Sequence, residues 1–106
     1  MAEVSIDEFA AARADGAFVV DVREPSEYVQ GHVPGAELVP LGELARLVRT
    51  FPGSGPVYAI CASGNRSLRA TEHLRAAGVE AYSVRGGTTA WIGTGRPVVT
   101  GPHVNA

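Results

Sequence analysis

Apolar residues in this chain come in short blocks separated by glycine and proline, and the period changes from block to block. Phe18-Val19-Val20-Asp21-Val22 is a near-continuous apolar run, the pattern of a strand buried on both faces. Val57-Tyr58-Ala59-Ile60 repeats it and ends at Cys61; Ala36 to Val39 and Val79 to Val84 predict two further strands. Between them the spacing turns helical. Ser5-Ile6-Asp7-Glu8 reads as a capping box. It opens a helix through about Arg13, with Ile6, Phe9, Ala10 and Arg13 on one side and Gly16 as its stop. Glu24-Pro25-Ser26-Glu27 opens a short helical turn that Gly31 closes. Leu41, Leu44, Leu47, Val48 and Phe51 keep helical spacing until the break at Pro52–Pro56. Ser67 to Ala77 predicts a helix with Leu68, Thr71 and Leu74 on one face, ended by Gly78. Gly86-Gly87 leads into a short helix carrying Trp91, which Gly95 and Pro97 end; the tail beyond has no pattern. Strands alternating with helices predict an α/β domain with a largely parallel sheet covered on both faces.

At 106 residues one domain, 1–106, is expected, its last few residues forming a tail. The 45% hydrophobic content suffices for one core. One cysteine excludes an internal disulfide and a four-cysteine zinc site. All nine basic residues are arginine, so lysine Schiff-base chemistry is excluded and anion recognition falls to arginine or backbone N–H groups. A net charge of −2 without a basic run argues against nucleic-acid binding. No apolar run approaches the roughly 20 residues of a membrane span, and the start carries acids rather than a basic targeting region, so the expected location is cytoplasmic.

The segment richest in chemistry is Cys61-Ala62-Ser63-Gly64-Asn65-Arg66-Ser67. It places a cysteine at the carboxyl end of a buried strand, where open α/β sheets bind ligands. A loop curling back toward the cysteine points successive N–H groups at the sulfur, and the following helix adds its N-terminal positive charge. Such a nest stabilises a thiolate and activates it as a nucleophile. An isolated cysteine at a strand end is ordinarily an inert small hydrophobe. Ser, Gly, Asn and Arg directly after it do not look like core packing and argue for the reactive reading.

Three blocks together resemble the rhodanese-like sulfurtransferase family. Asp21-Val22-Arg23-Glu24, with Glu27-Tyr28 and Gly31-His32-Val33-Pro34-Gly35-Ala36, is similar to the family's DVRE…EY…GHIPGA block. Cys61 through Ser67 is similar to its CxxGxRS loop, and Gly86-Gly87, Ala90-Trp91 and Gly95-Arg96-Pro97 to its GGxxAWxxxGxP ending. The resemblance implies a three-layer fold with a mostly parallel five-stranded sheet between helices. It implies that Cys61 takes sulfane sulfur from a donor such as thiosulfate and passes it from a persulfide to cyanide, a thiol or a protein thiol. The backbone N–H groups of residues 62 to 66 (Ala62, Ser63, Gly64, Asn65, Arg66) then form the cradle, and Arg66 orients the loop or the donor. Four residues separate Cys61 from Arg66, one fewer than in the related phosphatases and arsenate reductases, so phosphoryl transfer is disfavoured. A non-catalytic binding module is the other alternative; the retained cysteine, glycine and arginine argue against it.

Arg85, before Gly86-Gly87, is a candidate for attracting an anionic donor at the mouth of the site, and Arg69 is a weaker one. Asp21 with Arg23 reads as a structural ion pair, and His32 as a ring bonded to backbone. Trp91 reads as core. His32, His73 and His103 lack metal-ligand spacing, so neither metal nor cofactor is expected. Position 62 is alanine where many relatives carry a longer polar residue, which leaves the choice of donor open.

Overall fold

A computed structural model describes residues 2–105. Five strands form one sheet: β1 (Glu3–Val4), β2 (Phe18–Asp21), β3 (Glu37–Leu38), β4 (Val57–Ile60) and β5 (Ala81–Val84). Their order is β1-β5-β4-β2-β3, and every pairing between them is parallel. Helices α1 (Ile6–Ala14), α2 (Pro25–Tyr28), α3 (Leu44–Leu47), α4 (Asn65–Ala76) and α5 (Gly87–Gly93) connect them. The predicted α/β class and the five-stranded parallel sheet are both present.

Strand alternation divides the core between two faces. Val20, Val57 and Ala59 join Leu44, Ala70 and Leu74 in one buried cluster. Val19, Ile60 and Val84 join Phe9 and Trp91 in the other. Neighbouring residues of one strand thus serve opposite layers, which is why these strands read as unbroken apolar runs. The capping box forms as predicted, with Glu8 N–H donating to Ser5 Oγ at 3.1 Å and Ser5 N–H to Glu8 Oε1 at 2.9 Å.

Several elements differ from the sequence reading. The start of the chain adds edge strand β1, held to β5 by Ser83 N–H donating to the Ala2 carbonyl and Arg85 N–H to that of Val4. Two residues are too few to show a period. The Leu41–Phe51 stretch is one helical turn, α3, between two 3-10 turns at Leu41–Glu43 and Val48–Thr50. The α4 helix starts at Asn65, two residues earlier than predicted, because Gly64 turns at φ +117° directly before it. The patternless tail folds back onto His32, whose backbone pairs antiparallel with Val99. The His32 ring is buried, with Nδ1 2.8 Å from the Tyr28 carbonyl and Nε2 2.8 Å from the His103 carbonyl.

The sheet order places β2 beside β4 at the point where connections diverge to opposite edges, the position at which such sheets build ligand sites. Both ends of the chain's chemistry collect there: Asp21 and Arg23 leave β2, and Cys61 leaves β4.

Phe9 is fully buried from α1 and meets the rings of Tyr58 and Trp91. Replacing Phe9 with Ala is expected to lower stability by ~3–5 kcal/mol. Urea unfolding of both proteins measures the loss, and a loss below about 1 kcal/mol would contradict this account of the core.

Candidate active site

Cys61 sits at the carboxyl end of β4 with 1% of its surface exposed. The loop after it turns so that main-chain donors face the sulfur. Gly64 N–H reaches Sγ at 3.1 Å and Ser67 N–H at 3.3 Å, with the Ser67 hydroxyl 3.5 Å away. Burial pushes the thiol up, because a charged sulfur loses water. The Ser67 hydroxyl and the N–H groups of Ser67, Gly64 and Ser63 outweigh burial, so the thiol lies below its ordinary value. The N-terminus of the twelve-residue helix α4 acts in the same direction.

Ser67 belongs to a small hydroxyl network. Its Oγ lies 2.7 Å from Ser83 Oγ and 3.1 Å from the Gly64 carbonyl. A hydroxyl has one proton and two acceptor pairs. With a thiol present, Sγ–H donates to Ser67 Oγ, and Ser67 donates to Gly64. With a thiolate, the Ser67 proton turns to sulfur, and Ser83 supplies a proton to Ser67 Oγ. The network satisfies either protonation state by rotating hydroxyls, without moving the backbone.

The loop is fixed from two sides. Thr88 N–H donates to the Cys61 carbonyl at 2.8 Å, and Thr89 N–H to the Ala62 carbonyl at 3.1 Å. This approach requires glycine at 87: a Cβ there would lie 2.3 Å from the Cys61 oxygen and 2.7 Å from that of Ala62, at φ +57°. On the other side Arg66 grips Glu27 of α2 with both Nη atoms, at 2.6 and 2.8 Å. That bidentate bond holds the Glu27 carboxyl down to about 2, well below the usual carboxylate range.

The sequence-predicted residues therefore separate. Cys61, Ser63 and Gly64 meet at the sulfur, while Ala62 lines a cavity beside it. Asn65 is exposed at the start of α4. The Arg66 side chain orients the loop through Glu27. The N–H donors bonded to Sγ are those of Gly64 and Ser67, so the cradle extends one residue past the expected 62–66. Arg85 does not line the cavity; its side chain is 66% exposed and lies 3.8 Å from Glu3. Arg69 is exposed in a different groove, with Leu41, Leu44 and His73. Asp21 and Arg23 form a buried bidentate pair, Nη2 to Oδ2 at 2.8 Å, as the structural reading expected. Sequence reasoning missed Ser67, Ser83 and Glu27 as site residues. The closing serine of the loop motif and Glu27 of the Glu27-Tyr28 pair were on view but without a role at the cysteine, and Ser83 comes from another element and carries no local signal.

Comparison with known proteins agrees with this geometry. The family model of the rhodanese-like domain matches residues 5–94. The chain belongs to the rhodanese-like domain family. A relative named thiosulfate sulfurtransferase GlpE, from Pseudomonas entomophila, is 35% identical over 92 residues, covering 86% of this chain and 84% of its own. The crystal structure of a rhodanese-related protein from Thermoplasma volcanium superposes with a TM-score of 0.86 at 31% identity, covering 93% of this chain and 98% of that one. A rhodanese-like domain protein from Staphylococcus aureus gives 0.79 at 32% identity, with 86% and 91% covered. The expected family and fold are thereby both met.

Two outcomes follow from this rhodanese-like site. Ser67→Ala removes a hydroxyl donor and is expected to raise the Cys61 thiol, with Ser83→Ala giving a smaller rise in the same direction. The pH dependence of iodoacetamide alkylation, clean because the chain has one cysteine, reads both; an unmoved inflection in Ser67→Ala would contradict the cradle. Glu27 is depressed on folding from 4.5 to about 2, so its contribution is complete above about 4.5 and is lost as pH falls toward 2. The stability gap between wild type and Glu27→Gln is expected to shrink over that window in denaturant titrations at stepped pH. A gap independent of pH would contradict the pair.

Proposed function

We propose that this rhodanese-like chain is a sulfurtransferase that carries sulfane sulfur as a Cys61 persulfide, with thiosulfate as a donor. The observation that carries the reading is the buried sulfur with Gly64 and Ser67 N–H groups aimed at it. A buried thiol needs no such donors, whereas a thiolate or persulfide anion does.

The proposed reaction has two displacements. Thiolate Sγ attacks the outer sulfur of thiosulfate; the new S–S bond forms as the old one breaks, and sulfite leaves with the electron pair. The outer sulfur of Cys61–S–S⁻ is then taken by an acceptor. With cyanide, thiocyanate departs and the thiolate is restored. With one cysteine in the chain no internal disulfide can discharge the persulfide, so the acceptor is external, a small thiol or a protein thiol. Neither step needs a general base once the thiol is ionised, which agrees with Asp21 being bound to Arg23. We place the reaction in one domain working in a reducing compartment such as the cytoplasm, where an unpaired thiol persists. The four-residue spacing from Cys61 to Arg66 favours sulfur over the larger phosphoryl group.

Cys61→Ser is expected to abolish thiosulfate:cyanide sulfur transfer. Intact mass after thiosulfate treatment is expected to show one added sulfur atom on the wild type and none on the variant. Undiminished turnover by Cys61→Ser would end this reading.

A further inference from the structure

Beside the cysteine loop lies a cavity of about 290 Å³. Arg23, Glu27 and Gln30 line it from the chain that follows β2, Ala62 from the cysteine loop, and Thr89 and Ile92 from α5. The charged groups in this wall are already engaged. Glu27 is held by Arg66, and Arg23 gives Nε and Nη2 to Asp21 and Nη2 also to the Gly31 carbonyl. A molecule entering the cavity therefore meets charge that is paired within the protein.

The apolar part of the wall is free. Trp91 packs inward from α5 and is 3% exposed, whereas Ile92, the next residue, is 52% exposed. Among the described residues Ile92 is the most exposed large apolar side chain. A single exposed isoleucine is ordinary on a protein surface. This one stands in the wall of a cavity shared with Ala62, the residue that follows the nucleophile. The cavity volume is close to the roughly 300 Å³ at which sites for small organic ligands begin, and exceeds what cyanide or thiosulfate fills.

We propose that Ile92 is a specificity residue for the sulfur acceptor, and that the cavity seats the carbon body of an aliphatic thiol against it. The inference rests on the sulfurtransferase reading and adds to it the chemical class of the acceptor. A persulfide carries its outer sulfur about 2 Å beyond Sγ, toward an incoming thiol. The acceptor thiolate attacks that outer sulfur. A new S–S bond forms to the acceptor, the bond to Cys61 breaks, and the electron pair returns to Sγ as the thiolate. The products are an organic persulfide and the starting enzyme. An acceptor with an apolar carbon chain gains from leaving water against Ile92, and cyanide, which has no such chain, gains nothing.

The test loads wild type, Ile92→Ala and Ile92→Leu with thiosulfate, removes the excess, and adds subsaturating ethanethiol, propanethiol or butanethiol, or cyanide. These thiols differ little in acidity, so chain length is the variable. Loss of the added sulfur, followed by intact mass, gives the rate of transfer. In wild type the rate is expected to rise about twofold per added methylene, the gain for a group half withdrawn from water. Ile92→Ala is expected to flatten that rise and Ile92→Leu to keep it, with cyanide rates within about twofold of wild type in both. A wild-type rate independent of chain length would overturn the inference, as would an unchanged rise in Ile92→Ala. So would an equal loss for cyanide and the thiols, which marks a role in holding the loop. Wild-type protein that takes no sulfur from thiosulfate would instead overturn the sulfurtransferase reading on which the inference stands.

Discussion

A sulfur held out of water among fixed main-chain donors is the constraint on which this structure turns. Burial alone makes a thiolate unfavourable, and only donors fixed in place before ionisation can reverse that. Here the reversal comes from the path of six residues. Gly64 takes a backbone conformation that other residues rarely adopt, α4 begins immediately after it, and the N–H groups of Gly64 and Ser67 converge on Sγ. Elements far away in the chain hold that path. The α5 start presses against the carbonyls of Cys61 and Ala62 through a glycine, and α2 holds Arg66 through Glu27. Three separate crossovers of the parallel sheet are needed to bring these braces to one strand end.

The hydroxyl pair Ser67–Ser83 adds a feature suited to a sulfur that can be thiol or thiolate. A cradle made only of N–H donors serves the anion and leaves the neutral thiol poorly matched. Rotating hydroxyls serve both states and need no backbone motion. The ion pairs around the loop have a different role. Arg66–Glu27 and Arg23–Asp21 neutralise charge locally around the loop.

Much of this was legible in the sequence where the signal is local. The capping box at Ser5 and Glu8, the doubly buried strands at Phe18 and Val57, and the cysteine loop each lie within a few consecutive residues. The site's supports were not, because they depend on partners brought together by the fold. Glu27 looked like a helix-turn residue until Arg66, 39 positions later, met it. Ser83 lay within the predicted strand Val79 to Val84 with no role of its own. Arg85, plausible from its place at a strand end, is instead drawn to Glu3 because the first residues form an edge strand too short to show a pattern. His32 was read as structural from its turn, and the tail that satisfies its second nitrogen had no signal of its own.

The central claim is that folding builds the donors that hold the Cys61 thiol below its ordinary value. Thiolate ultraviolet absorbance, followed against pH in the native protein and again in concentrated urea, tests it on the chain's one cysteine. The account predicts an inflection below the ordinary thiol range in the native state and a return to that range on unfolding. The same inflection in both states, or a higher one in the native protein, would contradict it.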